Sequence, residues 1–317
     1  MGSIPVINIE HLGDPKTLRA LDIACREWGF FQVVAHGLHE SIAGEVQEQM
    51  RRFFAQPLER KRAISRTSEN PWGLYDRELT KNTRDWKQIY DYGPADESAG
   101  EAMVPQWPEG LPDFKPAILA YYAACETLAF RLLGAISMNL GMPVDHLNRH
   151  YQRDHSSFVR LNYYPVCPTP AHPEEIDTPS AGYLGVNHHT DAGALTILAQ
   201  DEQPGLEVFR NERWHLVRPV PGALVINIGD IVQVWSNDRY QAALHRVRAS
   251  ASNERYSAPF FFNPAYKTNY APLPTTIDHS HPARYRSINW GEFRAARAAG
   301  DYSDLGEEVQ ISHYRVA

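Results

Sequence analysis

From Phe158 onward the sequence breaks into short apolar runs with turn residues between them, and this rhythm constrains the fold more than any other feature of the chain. Strands are expected over 158–164, 183–188, 194–199, 206–209, 214–217, 223–228, 231–235, 244–248 and 256–262, each apolar and short enough to cross one sheet. Gly205, Asn211, Pro221-Gly222, Gly229-Asp230 and Asn237-Asp238 stand where the chain must reverse. Helical periodicity belongs to the first half instead. One helix is expected around Leu18 to Cys25, followed by a strand over Phe30 to Val34. A second helix is expected over 38–54, with Ile42, Val46, Met50 and Phe53 on one face. A third opens at Asp113, with Pro116 in its first turn, and closes at Gly141. The stretch 65–112, rich in Pro, Gly and Asn, reads as long, partly ordered connections laid over the body. Helices precede strands here and do not alternate with them, which disfavours a parallel doubly wound sheet. The expected class is α+β with a mainly β core, a sandwich or jelly roll.

Composition narrows the partners. The 317 residues carry 31 Lys+Arg against 38 Asp+Glu, a net charge of −7, so a nucleic-acid binder working by counterion release is not expected. The three cysteines, Cys25, Cys125 and Cys167, are widely spaced, with no CxxC pair, and argue against both a disulfide framework and a thiolate metal site. No charged segment followed by an apolar one opens the chain. The most apolar helical stretch, Thr127 to Met138, is interrupted by Arg131 and is too short to span a bilayer. A soluble cytoplasmic protein with no membrane partner is expected.

Among 14 histidines, only two places read His-x-Asp/Glu. His172-Pro173-Glu174 lies in a proline-rich loop with few fixed partners. His189-Thr190-Asp191 ends an expected strand, where alternate residues share a face, so both side chains can turn toward one ion. His245, 54 residues after Asp191, can supply a third ligand from a neighbouring strand. Two imidazoles and one carboxylate on one face leave open positions, the arrangement of non-haem Fe(II) oxygenases. On the triad alone, buried and hydrogen-bonded core histidines remain an equal reading. Arg255-Tyr256-Ser257 shifts the balance. Arg255 and Ser257 share a strand face, and a guanidinium beside a hydroxyl suits a carboxylate such as the distal end of 2-oxoglutarate.

These motifs together resemble the Fe(II)/2-oxoglutarate-dependent oxygenases of the isopenicillin N synthase-like family. The likeness covers nearly the whole chain. It is carried by Ile4 to Ile9, Arg26 to Gly37, Leu161 to Cys167, His189 to Leu198, Asn227 to Asp230, Trp235 to Tyr240, Leu244 to Val247 and Arg255 to Ser257. The resemblance implies a double-stranded β-helix (jelly roll) with N-terminal and flanking helices. It implies a helical region over 1–157 packed on the barrel, a catalytic core over 158–265 and a lid or tail over 266–317, all in one integrated unit. His189, Asp191 and His245 are implied as iron ligands, with no catalytic side chain beyond them. Arg255, Ser257, Tyr164 and Asn162 are implied around 2-oxoglutarate, and Phe261 and Tyr75 are placed in the substrate pocket. His188 departs from the small or apolar residue usual before the first ligand, and its parity turns it away from the metal.

The implied activity is oxidation of a small organic molecule by hydroxylation, desaturation or cyclisation. Fe(II), 2-oxoglutarate and O2 take part, ascorbate serves as a reductant, and succinate and CO2 are released by a monomer. The alternatives are a 2-oxoglutarate-independent oxidase of the same family and a non-catalytic small-molecule-binding barrel.

Overall fold

In the computed structural model the described residues are 3–80, 82–94, 103–151, 154–172, 181–300 and 309–316. The expected helices form where their apolar faces repeat. They are α1 (Pro15–Glu27), α2 (Glu40–Phe54) and α4 (Phe114–Asn139), with the short α3 (Leu58–Arg62) between the last two. Gly141, at φ 80°, carries the chain out of α4 in the left-handed conformation that glycine tolerates. By length and composition α4 could cross a membrane, yet it is a core helix, with Tyr121, Cys125, Ala129, Leu132 and Leu133 fully buried.

The jelly roll is made of eight strands: β7 (Phe158–Tyr164), β8 (Leu184–His189), β9 (Leu195–Gln200), β10 (Leu206–Arg210), β11 (Arg213–Leu216), β12 (Leu224–Ile228), β13 (His245–Arg248) and β14 (Arg255–Phe262). They divide between two sheets. The minor sheet runs β11-β10-β13-β8, while β12-β9-β14-β7 forms the centre of the major sheet. All pairings among these strands are antiparallel. The turn between β10 and β11 uses Asn211 and Glu212, both at positive φ, as a tight hairpin with the right-handed twist requires.

The N-terminal region is more than a helical brace. Its strands β1 (Val6–Asn8) and β2 (Phe30–Val34) extend the major sheet beyond β12. At the other edge, β3 (Gly73–Tyr75) and β6 (Gln88–Tyr92) extend it beyond β7, with the small hairpin β4 (Leu79–Thr80) and β5 (Thr83–Arg84) between them. The segment 65–112, expected as long, partly ordered connections laid over the body, thus contributes strands to the major sheet. The segment reads as polar because it carries a buried ion network, in which each charge hides beside its opposite. Lys87 Nζ reaches Glu78 at 2.7 Å and Asp85 at 3.1 Å, and Arg160 on β7 reaches Glu78 at 2.9 Å and Asp91 at 2.8 Å. Burial on its own would raise the Glu78 carboxyl, but Arg160, Lys87 and Arg66 hold it below the ordinary carboxylate range.

A correction concerns 231–235, expected as a strand from its β-branched residues. It forms helix α5 (Asp230–Trp235), because Gly229 and Asp230 are pinned against the preceding loop: Asp230 N–H donates to the Asp191 carbonyl and Ile231 N–H to the Gly193 carbonyl. Tertiary hydrogen bonds outweigh intrinsic preference over so short a run. After β14 the tail forms the pair β15 (Asn269–Tyr270) and β16 (Ile288–Asn289), then helix α6 (Trp290–Gly300). Buried Trp290 fixes the start of α6 by donating from Nε1 to Ser156 Oγ at 2.8 Å. Of the lid or tail expected over 266–317, residues 301–308 lie outside the described residues, and a short 3-10 turn follows over Ile311–Tyr314.

Candidate metal centre

His189 closes β8 and His245 opens β13, and antiparallel pairing of these strands sets the two residues directly opposite each other. Their ring centroids are 4.3 Å apart. Asp191 lies two residues beyond His189, at the start of the turn into β9. Its Oδ1 is 3.6 Å from His189 Nε2 and 3.7 Å from His245 Nε2. The three donor atoms lie within 4.8 Å of one another, and among the described residues no other set of His, Cys, Asp and Glu side chains is so grouped. His172 is not part of it, and Glu174 lies outside the described residues.

The atoms turned away from this point are already occupied. His189 Nδ1 bonds the Asn187 carbonyl at 2.8 Å and His245 Nδ1 the Ala243 carbonyl at 3.0 Å. These contacts put the proton on Nδ1 and leave each Nε2 lone pair free, as metal-binding histidines require. Asp191 Oδ2 accepts from Asn227 Nδ2 at 2.7 Å and from Thr196 Oγ1. Thr196 on β9 and Asn227 on β12 are cross-strand partners, so the two donors arrive together. Burial pushes His245 down to about 4, so it is a neutral ligand at physiological pH. Burial opposes ionisation of Asp191, yet the facing imidazoles and the Asn227 hydrogen bond hold its carboxyl well below the usual range. The centre offers two imidazole nitrogens and one carboxylate oxygen.

Gly229 keeps the Asp191 turn in place. A Cβ there would stand 2.3 Å from the Gly193 oxygen and 2.7 Å from the Asp191 oxygen, distances no side chain tolerates without moving the backbone.

Two chambers meet at the triad. The inner one lies between the sheets and is lined by Asn162, Tyr164, Arg255, Ser257, Phe30 and Val247, among others. Arg255 is buried on β14. Its Nη2 donates to Gln200 Oε1 at 2.9 Å, its guanidinium carbon is 5.1 Å from the Tyr164 ring centroid, and its Nε and Nη1 have no partner. Ser257 lies two residues along β14, and Asn162 on β7 stands opposite it; Asn162 Nδ2 is 3.4 Å from Ser257 Oγ, and its Oδ1 is unpartnered. Unpartnered buried donors are costly unless something fills the space before them. A dicarboxylate reaching from the metal to Arg255 fits that demand.

The outer chamber is lined by Phe158, Phe261, Val186, Glu78, Lys87, Arg160 and, from α6, Trp290, Arg294 and Arg297. Phe261 and Phe158 stack with centroids 4.8 Å apart. Tyr75, expected in the substrate pocket, lines neither chamber; Arg66 lies over its ring, 4.0 Å from the centroid. Trp72 and Trp86 also pack outside both, and Phe262 is core. His188 points to the other face of the minor sheet, 6.5 Å from Trp214, in keeping with its parity.

Sequence reasoning assigned no role to Thr196, Asn227, Gln200, Lys87, Arg160, Phe30 or Arg294. Asn227 and Thr196 stand inside recognisable motifs, but only strand register shows that both meet Asp191. Replacing Asn227 with Ala, which removes one of the two donors to Oδ2, is expected to weaken Fe(II) binding by about 10- to 100-fold. Anaerobic Fe(II) titration checks this, and unchanged affinity would dismiss the outer hydrogen bond.

The chain matches two family profiles: the 2OG-Fe(II) oxygenase superfamily over residues 155–264 and the non-haem dioxygenase in morphine synthesis N-terminal region over residues 4–110. It is 34% identical to flavanone 3-dioxygenase 2 of Oryza sativa subsp. japonica, covering 92% of this chain and 82% of that protein. It is 32% identical to jasmonate-induced oxygenase 4 of Arabidopsis thaliana, covering 92% and 81%. A solved structure of JOX2 in complex with 2OG, Fe and JA superposes with a TM-score of 0.83 at 29% identity, over 98% of this chain and 88% of that one. The dioxygenase for auxin oxidation in rice shares the fold, with a TM-score of 0.74 at 24% identity over 99% and 100%.

Proposed function

The chain belongs to the 2OG-Fe(II) oxygenase superfamily and is a 2-oxoglutarate-dependent non-haem iron dioxygenase acting on a small molecule, and from that premise we propose how its residues divide the work. His189, Asp191 and His245 hold the iron. The observation that carries this is the occupancy of every other polar atom in the triad, which leaves two Nε2 and one Oδ1 free and converging. Iron bound there, with 2-oxoglutarate and O2, supplies the oxidative decarboxylation to succinate and CO2 and the oxidising power for a substrate C–H bond.

The remaining tasks fall to the protein. Arg255 and Ser257 bind the distal carboxylate of 2-oxoglutarate, with Tyr164 and Asn162 closing the inner chamber around it. Gln200 holds the guanidinium in plane. Thr196 and Asn227 keep Asp191 Oδ1 aimed at the metal. Phe158 and Phe261 form the apolar wall of the outer chamber and fix the target beside the metal, while α6 closes that chamber against water. No side chain is needed as acid or base, so the metal ligands are the catalytic residues. The relatives named above differ in their substrates, so the outer chamber and not the triad sets which molecule is oxidised.

A cytoplasmic monomer that engages neither nucleic acid nor membrane completes the reading, supported by the −7 charge and by three free, buried cysteines. Incubation with Fe(II), ascorbate and 2-oxoglutarate, with succinate and O2 followed together, tests the cofactor roles. Oxygen uptake that leaves no succinate would remove 2-oxoglutarate from them. Light scattering on the eluting protein tests the monomer.

A further inference from the structure

The cations of the outer chamber are not equivalent. Lys87 and Arg160 are committed to Glu78, Asp85 and Asp91 at 2.7–3.1 Å. With Arg66, that network holds three cations and three acids, so it adds no net charge to the wall. Arg297 donates to the Thr190 and Val309 carbonyls and to Gln310 Oε1, tying α6 to the metal-bearing loop and to the C-terminal segment. Arg294 differs. It is half-buried on α6, lines the outer chamber, and has no hydrogen bond, ion pair or aromatic partner among the described residues.

The acids in that lining offer it no neutralisation. Glu78 is enclosed by its own cations, and Asp191 faces the metal point. Trp290, one helical turn before Arg294, is locked into the core, so the helix that carries Arg294 is fixed beside the chamber. An unpaired guanidinium at a chamber that has Phe158 and Phe261 in its wall matches the planar, bidentate geometry of a carboxylate.

We propose that the prime substrate is an organic acid whose carboxylate is bound by Arg294, while its apolar body lies against Phe158 and Phe261 and carries the oxidised C–H bond toward the triad. This rests on the division of chambers set out above. The carboxylate then acts as a handle remote from the reacting carbon, which fixes which C–H bond the metal meets and excludes esters and neutral analogues of the same shape.

The test is anaerobic binding to the Fe(II)- and 2-oxoglutarate-loaded full chain, where no turnover occurs. The probes are cinnamic, indole-3-acetic and jasmonic acids, each beside its methyl ester, read by calorimetry and by intrinsic tryptophan fluorescence. At least one acid is expected to bind ten-fold or more tightly than its ester. Arg294→Gln should lose that ten-fold preference, and Arg294→Lys should recover part of it. The proposal is overturned if no acid binds, if acid and ester bind alike, or if Arg294→Gln binds the acid as the wild type does. The visible charge-transfer band of bound 2-oxoglutarate, recorded first on the wild type, separates the two readings. Its absence counts against the cofactor roles, whereas its presence with no acid preference counts against Arg294 alone. Melting curves of both variants identify any loss that comes from misfolding.

Discussion

Asp191→Ala is expected to reduce Fe(II)-dependent succinate release to the background of metal in solution and to weaken Fe(II) binding by more than the roughly 100-fold that loss of an outer hydrogen bond costs. The carboxylate is the only acidic group among the three ligands, so its removal takes away the charge that holds a dication. It also strands the Asn227 amide and the Thr196 hydroxyl, both buried, at a cost of about 1–3 kcal/mol for each unsatisfied group. Part of that is offset, because the metal-free protein no longer buries an ionised carboxyl. Asp191→Asn separates the two effects. It keeps a hydrogen-bonding group of the same shape and should melt near the wild type, yet still fail to hold iron. A normal rate of succinate release in Asp191→Ala would sink the ligand assignment, and His172→Ala, outside the triad, should behave as the wild type.

The triad was readable because metal chemistry leaves a local signature. His189 ends β8 and Asp191 follows two residues on, at the start of the turn, a spacing that keeps both side chains on one side. The placement of His245 opposite His189 is a long-range fact of β8 and β13 register, and only the motif around it pointed there. The jelly roll was legible for a similar reason: turn residues punctuate every strand from Phe158 on. Where reading failed, burial was disguised. The strands within 65–112 are short, Asp91 lies on one of them and Glu78, Asp85 and Lys87 flank them, and nothing in a local window says that these buried charges neutralise one another inside the protein. The Ile231 to Trp235 helix was hidden by the opposite error, since its β-branched residues suit a strand and its helical form depends on hydrogen bonds to the Asp191 turn. Tyr75 was placed by aromatic character alone, and aromatic character does not distinguish a chamber wall from a platform under Arg66.

Loss of the inner-chamber guanidinium is the second large effect. Arg255→Ala is expected to raise the 2-oxoglutarate concentration for half-saturation by about 30- to 1000-fold, because removing one partner of a buried charged pair costs about 2–4 kcal/mol and each 1.4 kcal/mol is ten-fold. The range is set by how much water enters the vacated space. Arg255→Lys should recover little, since an ammonium cannot donate in the plane of the guanidinium, keep the contact with Tyr164 and satisfy Gln200 at once. Gln200→Ala makes the graded comparison. Gln200 accepts only one of the guanidinium hydrogen bonds and never reaches the carboxylate, so about 1 kcal/mol, or roughly five-fold in half-saturation, is expected. The two substitutions share one network and will not add; Arg255→Ala should erase the effect of Gln200→Ala in the double variant. Iron affinity without 2-oxoglutarate should stay as in the wild type for Gln200→Ala, which touches no metal ligand. An unchanged 2-oxoglutarate requirement in Arg255→Ala would mean that the unpartnered Nε and Nη1 are not what the co-substrate binds, and the inner chamber would need another occupant.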